Sequence, residues 1–197
     1  MKKSILAAAL LSALTSTAMA EGFYGAVDMG QATYEITCSG LPTGFSCNDT
    51  DTVFRFGGGY QFTPNVGIEA NYGKLGSYKV SGTDFSAGFP IVASGEAKLA
   101  TLQIAATGTF PVSDSFSLIG KLGIARTTAD MSVTASGGGI TLSDSESVTS
   151  TKLAYGIGAQ YNLSKSVGVR AQYEDLGEVG DGHIKLSLLS AGIVFQF

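Results

Sequence analysis

The sequence predicts an all-β chain, an eight-stranded antiparallel transmembrane β-barrel, and three observations carry that expectation. The closing residues Ser190 to Phe197 alternate, with Ile193, Phe195 and Phe197 on one face and Gly192 and Gln196 on the other; such an apolar face has to be buried in a core or in lipid. Segments of the same period recur along the chain, joined by connections that alternate between tight and long. Their second face is built from glycine and other small residues, whereas a watered outer face favours Lys, Glu and Thr.

Residues 1–20 read as an export signal, with Lys2 and Lys3 as the positive start, an apolar run from Ile5 to Leu14, and Ala18-Met19-Ala20 as a cleavage site. Residues 21–197 then form one domain. Cys38 and Cys47 lie too far downstream to carry a lipid anchor, and no other apolar run approaches the roughly 20 residues a spanning helix needs. The formal net charge is −4, and removal of Lys2 and Lys3 makes the remainder more acidic. An acidic chain without a Lys/Arg cluster points away from nucleic acid. Glycine is abundant at 27 residues and proline scarce at 4, without a collagen-like period.

In order, the strands are expected near 23–34, 52–62, 66–75, 98–110, 116–129, 149–161, 167–175 and 185–197. An even number puts both ends of the domain on one side. Thr63-Pro64-Asn65, Pro111 to Ser115 and Asn162 to Ser166 read as tight turns. The stretches 35–51, 76–97 and 130–148 read as long polar loops, and 176–184 is intermediate. Short turns at one end and long loops at the other are the pattern of a bacterial outer-membrane barrel, with the turns and both termini periplasmic.

A soluble carrier barrel also alternates, with its apolar face inward, so the second face decides. Gly30, Gly57, Gly59, Gly67, Gly73, Gly123, Gly156, Gly158, Gly168 and Gly192 share the parity opposite Phe23, Phe54, Phe56, Tyr72, Leu102, Leu118, Tyr155 and Ile157. Strand glycine costs entropy and packs nothing, but small residues are what a narrow closed lumen has room for. The apolar face is therefore assigned to lipid. Phe62, Phe110, Phe116, Tyr161, Phe195 and Phe197 gather beside the tight turns, as an aromatic girdle at one interface does.

The run from Phe54 to Gly73 resembles the second and third strands of the OmpA transmembrane domain; Gly156 to Arg170 with Tyr173, and Ser190 to Phe197, resemble its last three strands. The chain is thus similar to the OmpA/OmpX-like family of small outer-membrane barrels along essentially all of residues 21–197. Full-length members continue into a peptidoglycan-binding domain, so cell-wall tethering is not expected to carry over to a chain ending at Phe197. The closing strand, with Ser190, Gly192, Phe195 and Phe197, also resembles the signal read by the barrel-assembly machinery, for which edge pairing is a physical mode of recognition.

Parity places Asp28, Arg55, Glu69, Lys121, Arg170 and Glu174 inside, three of each sign, and burial requires such charges to be paired or hydrated. Glu69 and Arg170 fall at similar depth. The resemblance implies that they form a plug-like ion pair. The position at which the family carries an interior lysine is Thr107 here, which argues against a gate with an alternative partner. A polar core filling the lumen is preferred over a gated pore, because eight strands enclose little more than their own side chains.

Cys38 and Cys47 share one loop, and in an exported protein a disulfide between them is the expectation, with metal binding the weaker alternative. Asp49, Asp51, Asp84, Asp144, Glu146, Glu178 and Asp181 make an acidic outer rim, read as solvated surface, with divalent-cation bridging to lipopolysaccharide phosphates as the sharper reading. His183 near Ser187 is the one pairing that suggests acyl-transfer chemistry, without a supporting motif. The expected protein is non-enzymatic, without a cofactor, and monomeric. Its expected roles are structural and surface-interactive, with outer-membrane lipid, lipopolysaccharide, the assembly machinery and a host or surface ligand as partners. A narrow channel for small solutes is the alternative.

Overall fold

A computed structural model describes residues 22–35, 45–48, 50–84, 90–179 and 184–197; the expected leader, Cys38, Asp49, Asp181 and His183 lie outside them. Among the described residues there are nine strands: β1 (Gly22–Glu35), β2 (Phe45–Asn48), β3 (Thr50–Thr63), β4 (Val66–Asp84), β5 (Ile91–Pro111), β6 (Phe116–Gly137), β7 (Ile140–Asn162), β8 (Val167–Val179) and β9 (Ile184–Gln196). Eight of them close a ring in the order β4-β3-β1-β9-β8-β7-β6-β5, with β4 paired back to β5. The additional strand, β2, stands outside the ring and pairs with Lys79 to Gly82 of β4, past the point where β3 ends. All pairings are antiparallel.

Following the register once round the ring, from Thr149 through Thr128, Ala100, Lys74, Phe54, Met29, Ala191 and Ala171, returns to β7 at Ala159, ten residues nearer the tight turns. A closed sheet with that stagger has steeply tilted strands, roughly 35–45° from the axis. Residues at one height therefore slip by a little over one position per strand.

The tight turns are held by hydroxyls. Thr63 Oγ1 accepts from the Asn65 and Val66 amides at 3.3 and 3.1 Å, Ser113 Oγ from Phe116 N at 3.1 Å, and Ser164 Oγ from Ser166 N and Val167 N at 3.2 and 3.1 Å. At this end Phe23 meets Tyr60 edge-on at 4.9 Å, and Tyr60 meets Phe62 at 5.3 Å. Most of the lipid-facing parity is exposed in the band: Phe56 is 63% exposed and Ile157 72%. No helix among the described residues is long and apolar enough to cross a membrane.

At the other end the structure departs from expectation. Much of the stretches 76–97 and 130–148, read as loops, instead continues the strands: β6 and β7 run 22 and 23 residues, about twice the roughly 9–11 that cross hydrocarbon. They are joined at Gly138-Gly139, whose φ angles of 60° and 85° suit the two-residue hairpin turn that matches strand twist. The alternation reverses meaning there. Thr128, Ser132, Thr134 and Ser136 of β6 take the parity that faced lipid below, and Met131, Val133 and Ala135 take the lumen parity. A composition rich in Ser, Thr and Gly looks like loop; its period of two is what identifies strand.

Two glycine bulges steer this region. Gly76 (φ 91°) shifts the β4–β5 register and turns Lys79 outward, while Asp51 accepts from Ser77 N at 2.7 Å. Gly177 (φ 80°) shifts β8 against β9 so that Val179, and not Glu178, is buried.

Candidate functional site in the barrel lumen

All six inward charges converge into one chain of alternating sign across the lumen. Arg170 grips Asp28 with two parallel bonds, Nε to Oδ1 at 2.9 Å and NH2 to Oδ2 at 2.7 Å, and its NH1 reaches Glu69 Oε2 at 2.7 Å. Lys121 Nζ bonds Glu69 Oε1 at 2.6 Å and lies 3.2 Å from Glu174 Oε1. Arg55 NH1 closes the chain on Glu174 Oε2 at 2.5 Å. None of the six residues is more than 5% exposed. The three acids and three bases balance, so each ion has a counter-ion within direct contact, the condition under which buried charge is tolerated.

Polar side chains that the sequence reading had not singled out add hydrogen bonds to two of the acids and to Arg55. Tyr24 OH donates to Glu69 Oε2 at 2.8 Å and Asn71 Nδ2 to Oε1 at 2.7 Å. Gln172 approaches Asp28 at 3.4 Å and Gln103 approaches Arg55 at 3.4 Å. The signal was available in the alternation, which puts these residues on the charged parity. Thr107 pairs in register with Lys121 on the neighbouring strand, and Lys121 reaches Glu69.

Glycine makes the room. Asp28 and Arg170 both lie across from Gly192, Arg55 from Gly73, and Lys121 and Glu174 from Gly156. A Cβ at 192 would stand 2.2 Å from Asp28 Oδ1, at 73 2.4 Å from Arg55 Cγ, and at 156 2.6 Å from Glu174 Cγ. Gly156→Val is expected to lower stability by roughly 1–3 kcal/mol through overpacking, read by urea unfolding in lipid vesicles. Gly120→Ala, where nothing lies within 4 Å of the added carbon, is expected to be near neutral.

The lumen has three layers. From the tight-turn end a cavity of about 210 Å³, lined by Tyr24, Gln61, Thr109, Ser117, Gln160 and Gln196 among others, reaches Glu69 and Arg170. The ion chain forms its floor. Beyond it the filling is apolar, correcting the expectation of a lumen polar throughout: Tyr34, Val53, Leu75, Leu99, Leu176, Val179, Leu186 and Leu188 pack into one buried cluster. Tyr34 OH donates to the Leu75 carbonyl, which keeps its hydroxyl satisfied inside that layer.

The remaining candidates form no common site among the described residues. Cys47 falls on β2 in register with Val80, while its expected partner Cys38 lies outside the described residues. Ser187 sits on β9 in register with Thr33 and Asp175, and His183 is not described. Among the described residues no group of three or more His, Cys, Asp and Glu is placed to hold a metal; Asp51 and Asp144 accept from backbone amides instead. Ser190, Gly192, Phe195 and Phe197 lie on or beside β9, which pairs with β1 and β8; Ser190 and Gly192 face the lumen, and Phe195 and Phe197 are exposed on the lipid parity.

A closed antiparallel ring with an apolar exterior, girdled by aromatics and filled by paired charges, defines a small integral barrel of the outer membrane. The comparisons with known proteins agree, and the chain belongs to the outer membrane protein beta-barrel domain family, whose model matches residues 4–197. It is 27% identical to outer membrane protein A of Salmonella typhi over 212 residues, covering all of this chain and 56% of that protein. It is 28% identical to the Serratia marcescens protein of the same name over 144 residues, covering 71% of this chain and 37% of that one. The chain thus spans only about a third to a half of the curated relatives it matches. Among solved structures it is similar to Ail of Yersinia pestis, crystallised with the heparin analogue sucrose octasulfate (TM-score 0.54, 19% identity, 89% of this chain and 99% of that one). It is likewise similar to OprG of Pseudomonas aeruginosa (TM-score 0.53, 13% identity, 92% and 100%). These likenesses establish the fold and, with the family, an integral outer-membrane location.

Proposed function

We propose that this barrel is non-enzymatic and monomeric, and that its role is structural and surface-interactive, with the outer ends of β4 to β7 presented for adhesion to a host or surface ligand. The observation that carries the reading is the continuation of these strands past the lipid band as a paired, exposed sheet reaching Gly138-Gly139. A rigid projection serves binding better than a loose loop, because less ordering entropy opposes contact. Ail, a fold neighbour named for attachment and invasion, holds a sulfated heparin analogue, and the likeness to it is one of fold.

Within the same reading, the interior ion chain serves as the polar core that joins opposite walls of the barrel. Lipopolysaccharide is the outer-leaflet partner, and the closing strand with Ser190, Gly192, Phe195 and Phe197 is the segment read by the assembly machinery. Cys38 and Cys47 form a disulfide beside β4; thiol alkylation of the unreduced protein is expected to label neither cysteine, and labelling of both removes this element.

The test of the main reading replaces residues 130–148 by an Asn-Gly turn in the full chain expressed at the cell surface. Adhesion of the cells to an epithelial monolayer is expected to fall at least tenfold while the barrel keeps its heat-dependent gel shift. Unchanged adhesion with a folded barrel removes the proposal. A narrow channel is the second reading, favoured by the cavity that reaches Glu69 and Arg170; the apolar layer beyond weighs against it.

A further inference from the structure

The outward face of β4 to β7 is layered. Within the lipid band it carries Ile68, Tyr72, Leu102, Ile104, Ile124 and Leu153, all exposed. Immediately above come two exposed cations, Lys74 on β4 and Arg126 on β6. Lys74 pairs with Ala100, Ala100 with Thr128, and Arg126 stands two residues below Thr128. With the ring's stagger of ten residues in eight strands, two strands correspond to a slip of about two and a half residues, so Lys74 and Arg126 stand at one height. Their backbones are roughly 12 Å apart from ordinary strand spacing and rise. Higher still, the same parity is a bank of hydroxyls, Thr141, Ser143, Ser145, Ser147 and Thr149 on β7, with Thr149 bonded to Thr128 at 3.1 Å and Thr141 to Ser136 at 3.0 Å.

The charges facing this region are few. Glu96 is held between Lys79 and Lys98 at 3.4 and 3.6 Å, and Asp130 is in register with Lys98. Neither Lys74 nor Arg126 has a carboxylate in contact among the described residues. Four cations against two acids leave this face positive although the chain as a whole is acidic. At comparable heights on the remaining strands stand Thr52 on β3, Gln31 on β1 and Asp175 on β8, the last beside β7 and accepting from Tyr155 OH at 3.0 Å. The cations are thus a local feature of one wall and not a ring around the barrel.

We propose that this wall is a docking face for lipopolysaccharide. Its acyl chains lie against the apolar band, its phosphates against Lys74 and Arg126, and its sugars along the hydroxyl bank of β6 and β7. The order of the three layers, apolar then cationic then hydroxyl, matches the order of groups along a phosphorylated glycolipid standing in the outer leaflet. This deepens the lipopolysaccharide partnership proposed above by giving it a site.

The experiment uses the full chain refolded into phosphatidylcholine vesicles, titrated with diphosphoryl lipid A, and reads the thermal unfolding midpoint by loss of the heat-dependent gel shift. Lipid A is expected to raise the midpoint of the parent. The variant carrying both Lys74→Gln and Arg126→Gln is expected to need about tenfold to thirtyfold more lipid A for the same rise, given the attraction of each cation near an anionic surface. Lys185→Gln, on another wall, is expected to titrate like the parent. No response of the parent overturns the partnership itself. A parent response that the double variant reproduces at the same concentration overturns the site. An equal response to phosphatidylglycerol at matched charge overturns recognition of the glycolipid.

Discussion

Replacing Arg170 by alanine is expected to cost the barrel about 3–5 kcal/mol, the usual effect of removing one partner from a buried ion pair. The loss is unevenly felt. Glu69 keeps Lys121, Tyr24 and Asn71, whereas Asp28 is left with Gln172 at 3.4 Å. A carboxylate so deprived bears its desolvation almost alone. Adding Asp28→Asn to the Arg170→Ala background is therefore expected to restore part of the stability, whereas Glu69→Gln is expected to lower it further, since that change takes the 2.6 Å partner from Lys121 and leaves it only Glu174 at 3.2 Å, a carboxylate it shares with Arg55. Equilibrium urea unfolding in lipid vesicles measures both. Conductance across a planar bilayer is expected to stay at the parent level in Arg170→Ala, because the apolar layer still closes the lumen. A large, stable conductance with unchanged thermal stability would contradict this account and favour the channel.

The apolar layer has its own expected effect. Leu188, wholly buried in that cluster, should cost about 2–5 kcal/mol on substitution by alanine, as large-to-small changes in close-packed cores do. Leu186 shares the layer and the strand face, so a double substitution is expected to be non-additive. The ion chain and the leucine layer are two barriers in series. Steady conductance is therefore expected only when both are breached, in Leu186→Ala/Leu188→Ala/Arg170→Ala together, and not in either half alone. Conductance from the leucine variant by itself would assign the whole seal to that layer.

Much of this was legible in the sequence. The alternation of Phe54, Phe56, Tyr60 and Phe62 against Arg55, Gly57, Gly59 and Gln61 is sufficient to orient a strand, because side-chain direction in a strand has a strict period of two. The same parity put Asp28, Arg55, Glu69, Lys121, Arg170 and Glu174 inside. What it leaves open is which acid meets which base, since partners on different strands are brought to one depth by the stagger of the ring. Thr107 shows the consequence: read alone it removes a lysine, and read in register it sits beside one. The outer strands were obscured for another reason. Beyond the lipid the two faces exchange polarity, so Ser132, Thr134 and Ser136 alternating with Met131, Val133 and Ala135 no longer resemble the band below.

By itself, then, the sequence determined the strand parity, the tight turns, the transmembrane barrel and the six charged residues that face its lumen. Each of these depends on local alternation and on the hydrophobic effect acting on a single strand. Only the tertiary structure decided the order of the ion chain, the leucine layer above it, the place of β2 and the convergence of Lys74 with Arg126. Those depend on the closure and stagger of the whole ring, which place residues far apart in the chain at one height and bring charges into contact only when the last strand has met the first.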